Sequence, residues 1–560
     1  MKKLLLIVFS VVMAVSAFTA GAKSRAYKDL TSKSTVNEAA YLPPQCYTKT
    51  KGGKGEVYNP CYSCHTNSVE PNYNADGDLQ SSYDFAEYLN DNRWKNLFLD
   101  KTERVKAISD KEIMQYVRMD NYKDKDGKII LAGELSNLPK EWDYNGNGRW
   151  DGYIPDCYFS FDAQGFDKSP DGRFTGWRAF AYSPFLGTFW PTNGSTDDVL
   201  IRLSSDFRKD AEGKFDLEVY KLNMAVVEAM VMMRDVDIDP VDESKYGIDL
   251  NKNGKADIAS KVVYRWDPRN GELMHLVGLA EKMFKKGDIQ IAAGLFPQGT
   301  EFLHSVRYID VKDGSIAMSP RMKELRYAVK KRYKNYTVLE HLAREEMKET
   351  YDFPDRLGEY YGDVEEGVSN SQGWAYQAFI EDAEGNLRPQ TFEENIFCMG
   401  CHTNLGVTTD SIFSFPRKFD GKSFQRGWYH WTQKGLEGTP EPKATYEKYG
   451  ERYEYSFYLE NNKAGDEFRG NYEVMEKFFN KDGSIKKDMI EALHGDVSLL
   501  LYPSAERAVT LNKAYKVIVE DQSFIYGRDA NVEPVVNVQE TISEKNFDTG
   551  INEPVVLKVD

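Results

Sequence analysis

The sequence predicts an α+β protein in which mostly helical regions flank a mixed α/β middle region with a small antiparallel sheet. Three observations predict it. Two pentapeptides of one form, Cys61-Tyr62-Ser63-Cys64-His65 and Cys398-Met399-Gly400-Cys401-His402, lie far apart in the 560-residue chain. Capping boxes, Ser109 with Glu112 and Thr391 with Glu394, open helices near both. Between them, from Lys261, β-branched and aromatic runs replace helical spacing. A chain of this length can bury a large core and hold two to four domains.

The elements follow in order. Residues 1–22 read as a secretory signal: Lys2 and Lys3, an apolar stretch over 4–18, then Ala20-Gly21-Ala22 as cleavage site. The stretch is short for a spanning helix, and no cysteine follows the cut, so a lipid anchor is not expected there. A retained N-terminal anchor is the competing reading. The first pentapeptide region covers 23–122, with a short helix running from Ser109 through Val117. Residues 123–260 are rich in Asp, Asn and Gly and hold an apolar helix over 222–233. In the mixed region, 261–380, strands are expected at 261–266, 289–296 and 301–309. A turn at 311–315 then feeds a hairpin with 316–318. Ser319-Pro320 is expected to start a charged helix over 321–348. The second pentapeptide region, 381–528, adds helices near 471–479 and 504–520, and 529–560 reads as an extended tail.

C-x-x-C-H is the attachment signature of c-type haem. Two thiols add across the vinyl groups of one porphyrin, and the adjacent imidazole ligates iron. The motif occurs twice, each time followed by Thr-Asn. Two haem c groups are therefore expected, held by Cys61, Cys64, Cys398 and Cys401, with His65 and His402 as proximal ligands. The competing reading is one zinc shared by both cysteine pairs, although structural zinc sites place their halves closer in sequence. For the distal positions, His304 alternates with Phe302, Val306 and Tyr308, and His430 lies in Trp428-Tyr429-His430-Trp431. A hydrogen-bonded core histidine is the alternative for each. The remaining cysteines, Cys46 and Cys157, form an even remainder, which in an oxidising compartment suggests a disulfide. A thiolate iron ligand or redox dithiol is the alternative.

Two segments match the first nine positions of a calcium loop. Asp143, Asn145, Asn147 and Asp151 supply side-chain oxygens in one, with the main-chain carbonyl of Arg149 at position seven. Asp249, Asn251, Asn253 and Asp257 do so in the other, with Lys255 at position seven. Gly148 and Gly254 stand at the sharp turn. The twelfth position, normally a bidentate Glu, is Ile154 or Ser260. That departure weakens affinity or moves the donor elsewhere, Asp156 being one candidate. Asx-rich turns without an ion are the bland reading.

With 72 basic and 88 acidic residues the chain carries −16. Nucleic acid is thereby an improbable partner, and a basic redox protein a plausible one. No hydrolytic triad, nucleotide loop or zinc-protease box is present. The phrases Asn59-Pro60-Cys61-Tyr62-Ser63-Cys64-His65-Thr66 and Phe397-Cys398-Met399-Gly400-Cys401-His402 resemble bacterial exported dihaem c-type cytochromes. The resemblance implies a periplasmic or secreted protein that passes electrons between redox partners. The alternative it implies is a dihaem oxidoreductase, peroxidase-like or reducing a small molecule, with one open-coordination haem. Dihaem peroxidases carry their two boxes much closer together, and the long middle region departs from that pattern.

Overall fold

A computed structural model describes residues 25–32, 36–52, 54–67, 80–188, 190–356, 358–403, 405–419, 422–462, 469–545 and 547–558. The signal sequence expected at 1–22 lies outside the described residues.

The architecture is built on one long hairpin. Strand Glu301–Lys312 turns through Asp313 and Gly314, both at positive φ (50° and 82°), into strand Ser315–Lys330. Two successive positive-φ residues of the Asp-Gly type match the right-handed twist of the flanking strands. The hairpin is the centre of a ten-stranded antiparallel sheet. Its order is Tyr361–Asp363, Gly367–Ser369, Trp374–Glu381, Ser315–Lys330, Glu301–Lys312, Val199–Arg202, Phe174–Phe180 and Phe166–Lys168. Leu387–Pro389 pairs with Trp374–Glu381, and Thr196–Asp197 with Glu301–Lys312.

This corrects the expected fold class, since the sheet is the large central layer rather than a small insert between helical regions. The main error lies at 321–348. The chain stays in the sheet to Lys330, and the helix, Tyr336–Asp352, begins only after Asn335, whose side chain accepts from the Val338 N–H. The charges of 321–330 are internal partners, not a solvated helical face. Arg321 Nε donates to Glu381 Oε1 at 2.6 Å, and buried Lys330 pairs with buried Asp410. Two expected strands also differ. Ile258–Val262 pairs with Val236–Asp242 in a separate two-stranded sheet, and 289–296 is irregular apart from one Ala292–Leu295 bridge.

Alternation along Glu301–Lys312 assigns the two faces of the sheet. Leu303, with Met322 and Leu325 of the neighbouring strand, packs with Trp142, Cys157, Trp177 and Leu200 on one side. Phe302 and Tyr308 point to the other. There, helix Leu217–Met232 covers the Phe302 end, while helices Asp110–Val117 and Ala505–Asp521 cover the Tyr308 end. Between these two patches the same face carries His304 opposite Arg326, and Val306 opposite Glu324. The second pentapeptide packs there, Met399 within the Phe302 patch. Helix Leu217–Met232 is apolar on nearly all sides and buried accordingly.

The first pentapeptide region is clasped by the C-terminal segment, through bridges Thr48–Val538, Ser82–Asp548 and Asp91–Thr541. Tyr62 enters a separate core made by helices Glu454–Asn462, Tyr472–Phe478 and Lys487–Leu493.

Candidate functional site

The two pentapeptides fold alike. The Thr391 capping box opens helix Phe392–Asn395, which tightens into the 3-10 turn Ile396–Gly400. Cys401 and His402 both donate their N–H groups to the Cys398 carbonyl, at 3.2 and 2.9 Å. In the first, Cys64 and His65 donate to the Cys61 carbonyl at 3.0 and 2.8 Å. One turn thus presents two thiols and an imidazole from adjacent positions. An asparagine braces each: Asn59 Oδ1 accepts the Cys61 N–H at 2.7 Å, and Asn395 Oδ1 lies 3.8 Å from Cys398 Sγ. An amide also caps each histidine carbonyl, from Gln80 at His65 and from Asn370 at His402, the latter at 2.9 Å.

The His402 ring is fixed. Nδ1 donates to the Ser411 carbonyl at 2.9 Å, and Tyr376 and Phe413 flank the ring at 4.8 and 5.5 Å. A carbonyl can only accept, so the proton sits on Nδ1 and Nε2 carries the lone pair. Burial pushes the His402 pKa down to about 4, the Ser411 bond opposing it and the Arg326 charge adding to it. The ring is neutral at neutral pH. Desolvation pushes the two thiols of the second turn up, Cys401 to about 11.

The fold joins the two turns in one seam. A side chain at Gly400 would strike Tyr41 O and Pro43 Cδ, and one at Gly406 would strike Thr66. Cys46 lies in the same seam: its pKa is pushed up to about 12 by burial and by the Cys401 charge. Cys46 and Cys157 are both unbridged, so the disulfide expected between them is not made here. Cys157 belongs to the opposite face of the sheet, among Trp142, Trp177 and Leu200, with its carbonyl taking the Tyr122 hydroxyl at 2.7 Å. The even count of cysteines carried no information on which face each occupies.

Beside the second turn, buried Glu324 accepts from Arg326 at 2.9 Å, Arg528 at 2.8 Å and Gln390 at 3.2 Å. Burial opposes its ionisation, but the two guanidinium charges prevail and lower its pKa to about 2. Arg326 and Arg528 both act on the Cys398 thiol, though its burial outweighs them. Sequence reasoning missed these arginines, because nothing local distinguishes Arg326 from its charged neighbours.

The two distal candidates separate. His304 donates from Nδ1 to the Asp198 carbonyl, and its Nε2 stands 3.9 Å from Asp197 Oδ2. Its ring lies nearly parallel to Trp190, and burial lowers its pKa to about 4. His430 uses both nitrogens inside the fold. Nε2 donates to Asp198 Oδ2 at 3.0 Å, Nδ1 accepts from Thr432, and Phe161 stacks on the ring at 4.4 Å. His430 is a satisfied core histidine, which corrects its placement as an iron ligand.

The calcium-loop residues form Asx turns at the two expected places. Gly148 N–H donates to Asp143 at 3.1 Å, and Gly254 N–H to Asp249 at 2.8 Å. Asp156, the alternative twelfth donor, instead takes Arg202 at 2.6 Å and the Trp177 indole at 2.9 Å. Among the described residues, no three His, Cys, Asp or Glu side chains are gathered as a metal site by themselves.

Comparison with known proteins adds the following. The model of a lipoprotein family matches residues 30–494. A protein of Aquifex aeolicus (strain VF5), described as an uncharacterized lipoprotein, is 32% identical over 569 residues, covering 92% of this chain and 89% of the relative. No solved structure matches. These findings overturn the resemblance to dihaem c-type cytochromes, because the family matched along most of the chain is one of lipoproteins. The electron-transfer role and the peroxidase-like or reductase alternative, which rested on that resemblance, are withdrawn with it. Among the described residues no helix is long and apolar enough to cross a membrane.

Proposed function

We propose a function from the premise that this chain belongs to that lipoprotein family: an exported protein held at a membrane surface, whose working centre is the seam of its two Cys-x-x-Cys-His turns. Each turn is an attachment site for one covalently bound haem c. Cys61 and Cys64 hold one porphyrin and Cys398 and Cys401 the other, with His65 and His402 as the iron-facing imidazoles.

The observation that carries this reading is the His402 ring, proton on Nδ1 and bound to the Ser411 carbonyl, Nε2 left as a donor. Metal-binding histidines are set up in this way. Such a group would supply an iron centre that a neutral imidazole can ligate. The chain's own residues do the rest. The 3-10 turns set the spacing between thiols and ring, and burial keeps both histidines at 402 and 304 neutral. His304 repeats the His402 arrangement, Nδ1 on a carbonyl, and shares Arg326 as a charged neighbour, so it would be the next residue able to offer an imidazole to iron. Arg326 and Arg528, beside Cys398, would offer positive charge to acidic substituents of the second porphyrin.

The finer location, periplasmic or secreted after removal of 1–22, is part of the same proposal. The test is expression with a haem-attachment system, followed by haem staining after denaturation. The Cys61→Ala/Cys64→Ala and Cys398→Ala/Cys401→Ala variants should each lose half of the covalent haem. An unchanged haem content in either variant contradicts the assignment.

A further inference from the structure

The two calcium-type loops lack a twelfth-position glutamate in sequence, and the fold supplies one to each from elsewhere. At the first loop it is Glu365, from the turn between strands Tyr361–Asp363 and Gly367–Ser369. At the second it is Glu243, from the short 3-10 turn Glu243–Lys245 that precedes the loop. The contacts coincide position by position. Tyr144 N–H, at loop position two, donates to Glu365 Oε1 at 3.1 Å, and Asp151 N–H, at position nine, to Oε2 at 3.3 Å. Leu250 N–H, again position two, donates to Glu243 Oε1 at 2.5 Å, and Asp257 N–H, position nine, to Oε2 at 3.3 Å. One glutamate comes from before its loop and the other from more than two hundred residues after it. Local turn chemistry gives no reason for both to reach the same place.

Three further observations point to a cation. Glu365 and Glu243 are 2% and 0% exposed, and among the described residues no ion pair neutralises either. Burying a carboxylate without a counter-charge is costly. In the first loop Asp143 Oδ1 is sealed from solvent with no hydrogen-bond partner, while its other oxygen takes the Gly148 N–H. The asparagine amides stand between the acids: Asn145 Nδ2 donates to Asp151 and Glu365, and Asn147 Nδ2 to Asp151 at 2.6 Å. Asn251 and Asn253 do the same toward Asp257. Those N–H groups occupy the place of a positive charge, and rotating each amide turns its oxygen inward.

We infer that the protein holds two structural calcium ions, one in the 143–151 loop closed by Glu365 and one in the 249–257 loop closed by Glu243. With the asparagine amides rotated and the acids drawn in around an ion, each site would offer three carboxylates, two asparagine oxygens and one main-chain carbonyl, of Arg149 or Lys255, an all-oxygen set suited to calcium. Closing the first loop with Glu365 also fastens it to the edge of the central sheet. The inference is independent of the porphyrin assignment.

The test is calorimetric titration of the full chain, stripped with chelator, with calcium chloride. Two ions should bind per chain, at ~0.1–1 mM if the sites resemble those of other extracytoplasmic modules. Glu365→Gln and Glu243→Gln should each remove one site, and the double variant both. Asp151→Asn and Asp257→Asn serve as second variants should a glutamine variant fold poorly. Terbium should luminesce through Trp150, beside the first loop, in the wild type and in Glu243→Gln but not in Glu365→Gln. No saturable binding up to ~10 mM, or two sites retained in Glu365→Gln, overturns the inference.

Discussion

Gly406 stands against Thr66 so closely that a Cβ at 406 would lie 2.7 Å from the Thr66 carbonyl oxygen and 2.9 Å from its nitrogen. This contact joins the segments behind the two pentapeptides, and only a residue without a side chain permits it. Gly406→Ala should therefore destabilise the protein by about 1–3 kcal/mol, the range for overpacking a filled site. Urea unfolding would show a lower midpoint at unchanged slope. Adding Thr66→Ala should recover only part of the loss, since it removes the nearest contact, Thr66 Oγ1, and leaves the two backbone contacts.

Asn370 holds the other turn. Its Nδ2 donates to the His402 carbonyl, and its Oδ1 accepts the Gln372 and Trp374 N–H groups. Asn370→Ala leaves these buried groups unpaired and should cost about 1–3 kcal/mol. Under the proposed function, covalent haem at Cys398 and Cys401 should fall while that at Cys61 and Cys64 persists. Peptide mapping of haem-bearing fragments separates the two.

Arg388 and Glu394 form a bidentate pair at 2.7 and 2.9 Å, 1% exposed on each side, just before the second turn. Removing one partner of such a pair strands the other charge. Glu394→Gln should lower stability by about 3–5 kcal/mol, read by thermal or urea unfolding. The Thr391 capping box that opens the turn can persist, since glutamine keeps an oxygen for the Thr391 N–H.

Glu441 gives a pH dependence. Burial raises its pKa from 4.5 to about 7, against hydrogen bonds from Ser456, and it is faced by Glu454 and, at 3.9 Å, by His494. The folded protein then binds more protons than the unfolded chain between these values, so this contribution is present below pH 4.5 and is lost as pH rises to about 7. Glu441→Gln should remove that decline, seen as a flatter plot of unfolding free energy against pH over the same interval.

What the sequence makes legible here is local. Ser109, Thr391 and Ser504 each cap a helix through a hydrogen bond three residues on, and spacing alone exposes such bonds. The two pentapeptides and the two calcium-type loops are local as well. What escapes is decided across distance. Arg321, Lys323 and Glu324 look like a solvated helix face because their partners, Glu381, Gly194 and Arg528, lie far along the chain. Glu365 and Glu243 are ordinary acidic residues until folding brings them to the loops. His304 and His430 both sit among aromatics in sequence, yet only the Asp198 contacts separate them: a backbone carbonyl for one ring, a carboxylate for the other.

The central claim is that porphyrin is joined to both turns, and the intact mass of the purified protein, made with haem-attachment machinery and measured under denaturing conditions, tests it most directly. The account predicts a mass exceeding the polypeptide by two haem groups. A mass equal to the polypeptide alone would contradict it.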